Sequence, residues 1–164
     1  MPFGEIPGNP EGTPYEDRVA ARQAGVHLPL RSGIAGRSAE GAESIVVSGG
    51  YEDDADYGAL VIYTGAGGRG PDGTQIADQE FEGPNQALFK NWIEGLPVRV
   101  VRGAGGEPAF SPTSGYRYDG LFGVARAWRV PGRSGFLVCR YERTVPGHTV
   151  DPAYLSYHRV RFGG

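Results

Sequence analysis

Three residues in one short stretch carry the chemistry of this chain. Tyr51 opens the acidic turn Tyr51-Glu52-Asp53-Asp54, Tyr63 follows one strand later in Tyr63-Thr64-Gly65, and the carboxylate of Asp54 stands between them. Aromatic faces return the stacking that a nucleobase gives up when it leaves a duplex, about 1 to 3 kcal/mol per base. A carboxylate accepts from an exocyclic amine, as in the readout of cytosine. Two rings and one carboxylate are therefore what a pocket for a single flipped-out base needs. The same residue types have plainer uses. Tyrosines beside turns are commonly half-buried strand ends, and Glu52, Asp53, Asp54 and Asp56 could form a solvated hairpin or hold a divalent metal.

The elements that must position these residues are short. The chain has 164 residues, with 28 glycines and 13 prolines, which suits one domain of many short strands joined by tight turns rather than a helical bundle. Strands are predicted at Glu43-Ser48, Leu60-Tyr63, Val98-Arg102, Leu121-Trp128 and Gly135-Tyr141, each rich in β-branched or aromatic residues and bounded by glycine or proline. Alternation in the fourth puts Phe122, Val124, Arg126 and Trp128 on one face, and its glycine suggests a strongly curved sheet or small barrel. Thr13-Pro14-Tyr15-Glu16 reads as a capping box for a helix over residues 14 to 24, closed by Gly25. A second helix is predicted over Asn85 to Glu94, with Leu88, Trp92 and Leu96 at four-residue spacing and Gly95 as its stop.

Composition removes several classes of function. The single cysteine, Cys139, excludes an intrachain disulfide and a cysteine-rich zinc site, and its apolar run predicts an inert buried thiol. The loop Gly65 to Gly73 lacks the lysine and following helix of a phosphate-binding P-loop. No run of about 18 apolar residues or charged-then-apolar leader is found, so the expected location is the cytoplasm, in a bacterium the nucleoid. The net charge of −3 counts against a nucleic-acid binder, but its distribution does not. Beyond Leu96 stand Arg99, Arg102, Arg117, Arg126, Arg129, Arg133, Arg140, Arg143, Arg159 and Arg161 against four acids, a candidate phosphate-facing surface.

The stretch from Gly33 to Gly68, which contains both tyrosines and Asp54, resembles the SRA (SET and RING associated, or YDG) domain, a reader of modified cytosine in DNA. Further matches run in the family's order, from Phe3-Gly4-Glu5-Ile6-Pro7-Gly8 through Gly25-Val26-His27 and Pro97 to Arg102, then Tyr118-Asp119-Gly120 and Gly135 to Val138. The resemblance covers residues 1 to 145 and leaves 146 to 164 as a closing element or a connection to another domain. It implies a mixed α+β, mainly β fold: a twisted, partly open β-barrel of the SRA/PUA-like kind with a few flanking helices. It also implies that the base lies between Tyr51 and Tyr63 and that Asp54 reads the amine. Backbone amides of Ser48, Gly50 and Thr64 would complete the edge, and Ala66 would line the space beside C5. A methyl buried there is worth roughly 0.8 kcal/mol. Tyr118-Asp119-Gly120 reads as a fold-defining corner at an Asp-Gly turn.

Departures from the family bear on specificity. Arg31 occupies the tip of the first loop that enters the duplex, where an animal member has a small apolar residue. The second loop reads Thr74-Gln75-Ile76 where that member has asparagine-lysine-arginine, so hemimethylated CpG discrimination is expected to weaken. Arg37, Arg69, Arg99 and Arg102, with Arg31, are the candidate contacts to the DNA backbone or groove. The compact loops resemble bacterial members joined to an HNH nuclease, which implies a targeting module of a modification-dependent restriction system. Its partners would be duplex DNA bearing 5-methylcytosine or 5-hydroxymethylcytosine and a nuclease domain, with no cofactor, no metal and no catalytic residue of its own. The competing readings are the endonuclease itself and a PUA-like binder of RNA or another modified base.

Overall fold

The computed structural model describes residues 3–145. The proposed extension 146–164, with Arg159 and Arg161, lies outside them. In chain order the elements are β1 (Pro14–Tyr15), α1 (Arg18–Ala24), β2 (Ile34–Arg37), β3 (Gly41–Val47), β4 (Ala55–Asp56), β5 (Leu60–Thr64), α2 (Pro84–Glu94), β6 (Val98–Gly103), β7 (Tyr116–Pro131) and β8 (Leu137–Thr144). The strands form an eight-stranded open sheet in the order β2-β3-β6-β7-β8-β5-β4, with β1 added beside β7. Only β3 and β6 pair in parallel; every other pairing is antiparallel. This is the mainly β, partly open architecture with two flanking helices that the resemblance implies.

The long strand β7 makes the curvature. Its first half pairs with β6 and its second half with β8, so one chain segment carries the sheet around the core. Two irregularities bend it. Val101 faces Tyr118 while Arg99 faces Leu121, which leaves Asp119 and Gly120 bulged, with Gly120 at φ +95°. The Tyr118-Asp119-Gly120 motif is thus a kink inside a strand rather than an Asp-Gly turn before one; a bulge uses the same left-handed glycine that a turn would. A second shift between Val124 and Arg126 changes the phase of alternation. Phe122 and Val124 share the buried face, but Ala127 rather than Trp128 is buried beyond the shift, so the predicted common face of all four residues does not hold.

Helix α1 also starts later than its sequence suggests. Pro14 and Tyr15 pair with Arg117 and Tyr116, and Asp17 caps the helix by accepting from the Ala20 amide at 2.9 Å. Asp is as good an N-cap as Thr, and the strand pairing takes the upstream residues. Helix α2 begins one residue before the predicted start and stops at Gly95, φ +69°. It lies against β2, β3 and β7, where Asn91 clamps Ala42, its Oδ1 accepting from the Ala42 amide at 2.6 Å and its Nδ2 donating to the carbonyl at 2.7 Å. The main core joins Ile45, Val61, Tyr63, Leu88, Val100, Phe122 and Tyr141, and a second cluster joins Tyr15, Ala21, Val26, Val46, Val101 and Tyr118. β3 is buried along its whole length, as a strand covered on both faces must be.

Candidate functional site

The acidic turn follows β3, and its four carboxylates are not a solvated cluster. Glu52 accepts from the Ser134 hydroxyl. Asp53 is 1% exposed and accepts from the Arg133 amide at 3.0 Å. Asp56 takes a bidentate bond from Arg102, at 2.7 and 2.8 Å. Asp54 differs from these, because its two oxygens accept from backbone amides of two separate segments, Oδ2 from Tyr51 at 3.2 Å and Oδ1 from Thr64 at 2.8 Å. Each carboxylate oxygen has a further lone pair, so Asp54 keeps acceptor capacity after fixing the turn to β5. Burial raises its pKa, against the lowering effect of the Thr64 amide. Among the described residues no group of three or more His, Cys, Asp and Glu is placed to hold a metal.

That one carboxylate brings the two tyrosines into a common frame. It bonds the amide of Tyr51 itself and the amide of Thr64, the neighbour of Tyr63. Tyr63 is 5% exposed; its hydroxyl donates to the Gly33 carbonyl at 3.2 Å, and burial pushes its pKa upward. The Arg143 guanidinium lies 4.5 Å from the Tyr63 ring centroid. Tyr51 is half-buried. Its hydroxyl accepts from the Gly67 amide at 2.8 Å, and the exposed Arg69 lies 4.8 Å from its ring centroid while donating to the Gly50 carbonyl. A cavity of about 210 Å³ beside Asp54 is lined by Val47, Gly49, Ala55, Asp56, Tyr57 and Glu107, and it reaches neither ring.

The glycine-rich segment after β5 is held by side-chain amides that sequence reading passed over. Asn85, in the first turn of α2, accepts from the Ala66 amide at 2.7 Å and donates to the Ala66 carbonyl at 3.0 Å. Gln79 donates to the carbonyls of Gly65 and Gly67, at 2.7 and 2.9 Å, and accepts from the Cys139 amide at 2.9 Å. Gln75 adds a bond to Gly67 at 2.9 Å. All three amides are buried, where a polar group stays only if its partners are supplied. A Cβ on Gly65 would stand 2.5 Å from the Asn85 oxygen, so the approach itself requires glycine. Arg140, 0% exposed, ties this frame to the turn by donating to Thr64 Oγ1 at 2.8 Å and to the Asp53 carbonyl. No local motif marks these residues, because each partner is distant in sequence.

The arginine assignments divide. Arg31 and Arg69 are exposed: Arg69 lies over Tyr51, and the loop bearing Arg31 is held by Arg18, which donates to the carbonyls of Pro29, Arg31 and Ser32 at 2.8, 3.1 and 3.0 Å. Arg37 is exposed too, but it pairs with Gly41 at the opposite end of β3 from Ser48, Gly50 and Tyr51. Arg99 and Arg102 are 0% and 5% exposed and cannot meet phosphate. Arg99 donates to the carbonyls of Val26 and Gly4 at 3.0 and 2.9 Å, and Arg102 is bound by Asp56 and Asp119. Half of the described arginines in the basic surface expected of the C-terminal half are internal for the same reason, while Arg129 and Arg133 stay exposed. Arg140 and Arg143 are fully buried, Arg117 pairs with Asp119 and Arg129 with Glu80. Cys139 is buried, its thiol pushed up to about 12 by desolvation.

The chain matches the SAD/SRA domain family model over residues 2–146. Among curated proteins it is 43% identical over 160 residues to the E3 ubiquitin-protein ligase UHRF1 of Rattus norvegicus, covering 85% of this chain and 21% of that protein. To ORTHRUS 2 of Arabidopsis thaliana it is 43% identical over 156 residues, covering 85% and 24%. The chain thus spans about a fifth to a quarter of these relatives. Among solved structures, the modification-dependent TagI restriction endonuclease is 47% identical with a TM-score of 0.84, covering 89% of this chain and 53% of that one. The SUVH5 SRA domain, solved bound to fully hydroxymethylated CG DNA, is 33% identical with a TM-score of 0.76, covering 93% and 99%.

Proposed function

The chain belongs to the SAD/SRA domain family, and from that membership we propose that it recognises 5-methylcytosine or 5-hydroxymethylcytosine in duplex DNA by taking the base out of the stack and seating it between Tyr51 and Tyr63. The observation that carries the reading is the Asp54 carboxylate, bonded to the amides of Tyr51 and Thr64 with acceptor capacity left over. A cytosine amine donates to that acceptor, whereas a thymine presents O4 and is repelled. Backbone amides of Ser48 and Gly50 complete the edge in this reading, while the Thr64 amide is already given to Asp54. Ala66, clamped through both of its backbone groups by Asn85, keeps a small space for the C5 substituent. Arg31 and Arg69 hold the DNA beside the pocket, and Arg69 leaves the Tyr51 face as the base arrives.

The wider role we infer is targeting for a modification-dependent restriction system at the bacterial nucleoid, with cleavage supplied by a nuclease domain rather than by these residues. The likeness to TagI supports this; the curated relatives are ubiquitin ligases, in which the same kind of domain serves another output. The test is equilibrium binding by fluorescence anisotropy to matched duplexes carrying cytosine, 5-methylcytosine or 5-hydroxymethylcytosine, with Tyr51→Ala and Asp54→Ala, at one salt concentration. A preference for methylated duplex of about fourfold is expected from the buried methyl, and both variants should lose it together with the stacking or the amine acceptor that holds the base in the pocket. Equal affinity for all three duplexes, unaffected by either substitution, refutes the pocket.

A further inference from the structure

Arg143 is the least economical residue in the core. It lies on β8 between Val61 of β5 and Val124 of β7, is 0% exposed, and among the described residues none of its three guanidinium nitrogens has a hydrogen-bond partner. Burial pushes its pKa down to about 10, so it still carries charge at neutral pH. An aliphatic side chain would fill the same space without desolvating a cation, and a buried ion without an acceptor is normally selected against. Its surroundings supply the one interaction a guanidinium makes without an acceptor. It stands 4.5 Å from the Tyr63 ring centroid and 6.0 Å from that of Tyr141, the distances at which a cation is drawn to the negative face of a ring.

We propose that Arg143 is a positioning residue for base recognition: stacked on the inner face of Tyr63, it fixes the plane of the ring whose outer face receives the flipped base. The inference rests on the proposed reading of the pocket. A ring has two faces, and Arg143 covers one of them. The bond from the Tyr63 hydroxyl to Gly33, at 3.2 Å, restrains the ring's tip, and the ring packs in the main core. A planar cation against one face sets the ring's angle within that packing. The base then stacks on a ring already at its working angle, without the cost of ordering it on binding.

Arg143→Met separates this role from a structural one. The substitution is expected to leave thermal stability unchanged or raise it, since an unpaired buried charge is removed. Affinity for unmodified duplex should hold, while the preference for 5-methylcytosine over cytosine falls towards parity as the cation–π contact that sets the ring is lost. In a Tyr63→Ala background the same substitution should change the preference no further. A wild-type preference that Arg143→Met leaves intact, or a loss of equal size in the Tyr63→Ala background, overturns the role of Arg143 alone. A wild-type chain with no preference overturns the base-reading pocket, and this inference with it. Should Arg143→Met fail to fold, Arg143→Lys decides, since it keeps the charge without the plane: an intermediate preference supports the proposal and an undiminished one overturns it.

Discussion

The acidic turn at residues 51–56 and the arginine-bearing strands β6 and β8 treat charge in opposite ways. In the turn, Asp54 accepts from two backbone amides and has lone pairs left over. In the strands, Arg99, Arg102 and Arg140 are buried and spend their donors on carbonyls, carboxylates and a hydroxyl of the chain itself. A carboxylate has few ways to be satisfied internally except by N–H groups, and amides at a turn supply them without covering it. A guanidinium carries five donors on a long stem and can reach several backbone carbonyls at once, which makes it a staple. Sign and count of charges therefore say little about where this fold meets a ligand. What matters is whether each group's partners leave any capacity unused.

The largest test of that contrast is Arg102→Ala. Arg102 bridges Asp56 and Asp119, with the three side chains 6%, 5% and 10% exposed. Removing it leaves the buried Asp56 without its cation and Asp119 with Arg117 alone, and breaking a buried pair by removing one partner costs about 3 to 5 kcal/mol. Urea denaturation should show a loss of that size with an unchanged slope. A residue that contacted phosphate instead would lose DNA affinity and keep its stability, and that result would return Arg102 to the DNA surface.

His27 approaches the same rule from a group that must stay neutral. It is 0% exposed, with Nε2 at 2.9 Å from the Ser32 carbonyl and Nδ1 at 2.8 Å from Ser44 Oγ. A carbonyl only accepts, so Nε2 carries the hydrogen and the Ser44 hydroxyl donates to Nδ1. Protonation would turn the second bond round, with Ser44 Oγ as acceptor, and would place a charge in a buried site, where desolvation already pulls the pKa down to about 4 from 6.5. The unfolded chain therefore binds this proton first. Stability from His27 is complete above pH 6.5, falls as the pH drops from 6.5 towards 4, and by the lower limit has lost about 3 kcal/mol. Comparing the pH profile of wild type with that of His27→Gln isolates the effect; parallel profiles across that window would show the histidine does not resist charging.

Much of this was legible in the sequence, for identifiable reasons. The central strands and α2 have β-branched runs or four-residue spacing between glycine and proline stops, and those signals are local. β1, β2 and β4 are short and made by pairing rather than by propensity, and the two bulges of β7 break the alternation from which faces are assigned. Tyr51, Asp54 and Tyr63 were singled out on the resemblance, and the structure links them through the two amide bonds of Asp54, a turn and the strand after it being close in sequence. Asn85, Gln79, Arg140 and Arg143 were not, because each acts on a segment far along the chain and nothing in its neighbours differs from an ordinary helix or strand residue. The assignment of Arg99 and Arg102 to DNA failed for the complementary reason: an arginine in an alternating strand looks the same whether it faces water or a carbonyl.

The smallest expected effect is the one that sharpens the contrast most, because it concerns an arginine left outside the frame. Arg69 is exposed, stacks on Tyr51 and donates to the Gly50 carbonyl. None of these contacts buries it, so it can be displaced to a phosphate when DNA arrives. Each phosphate contact contributes about 0.9 to the slope of log affinity against log salt. Arg69→Ala should therefore flatten that slope by close to one, for modified and unmodified duplex alike, when anisotropy titrations are run between about 50 and 200 mM salt. The folded stability should change little, since the side chain is at the surface. A slope unchanged by the substitution, with selectivity for the modified base reduced instead, would mean that Arg69 works through the Tyr51 ring and not through the backbone of DNA.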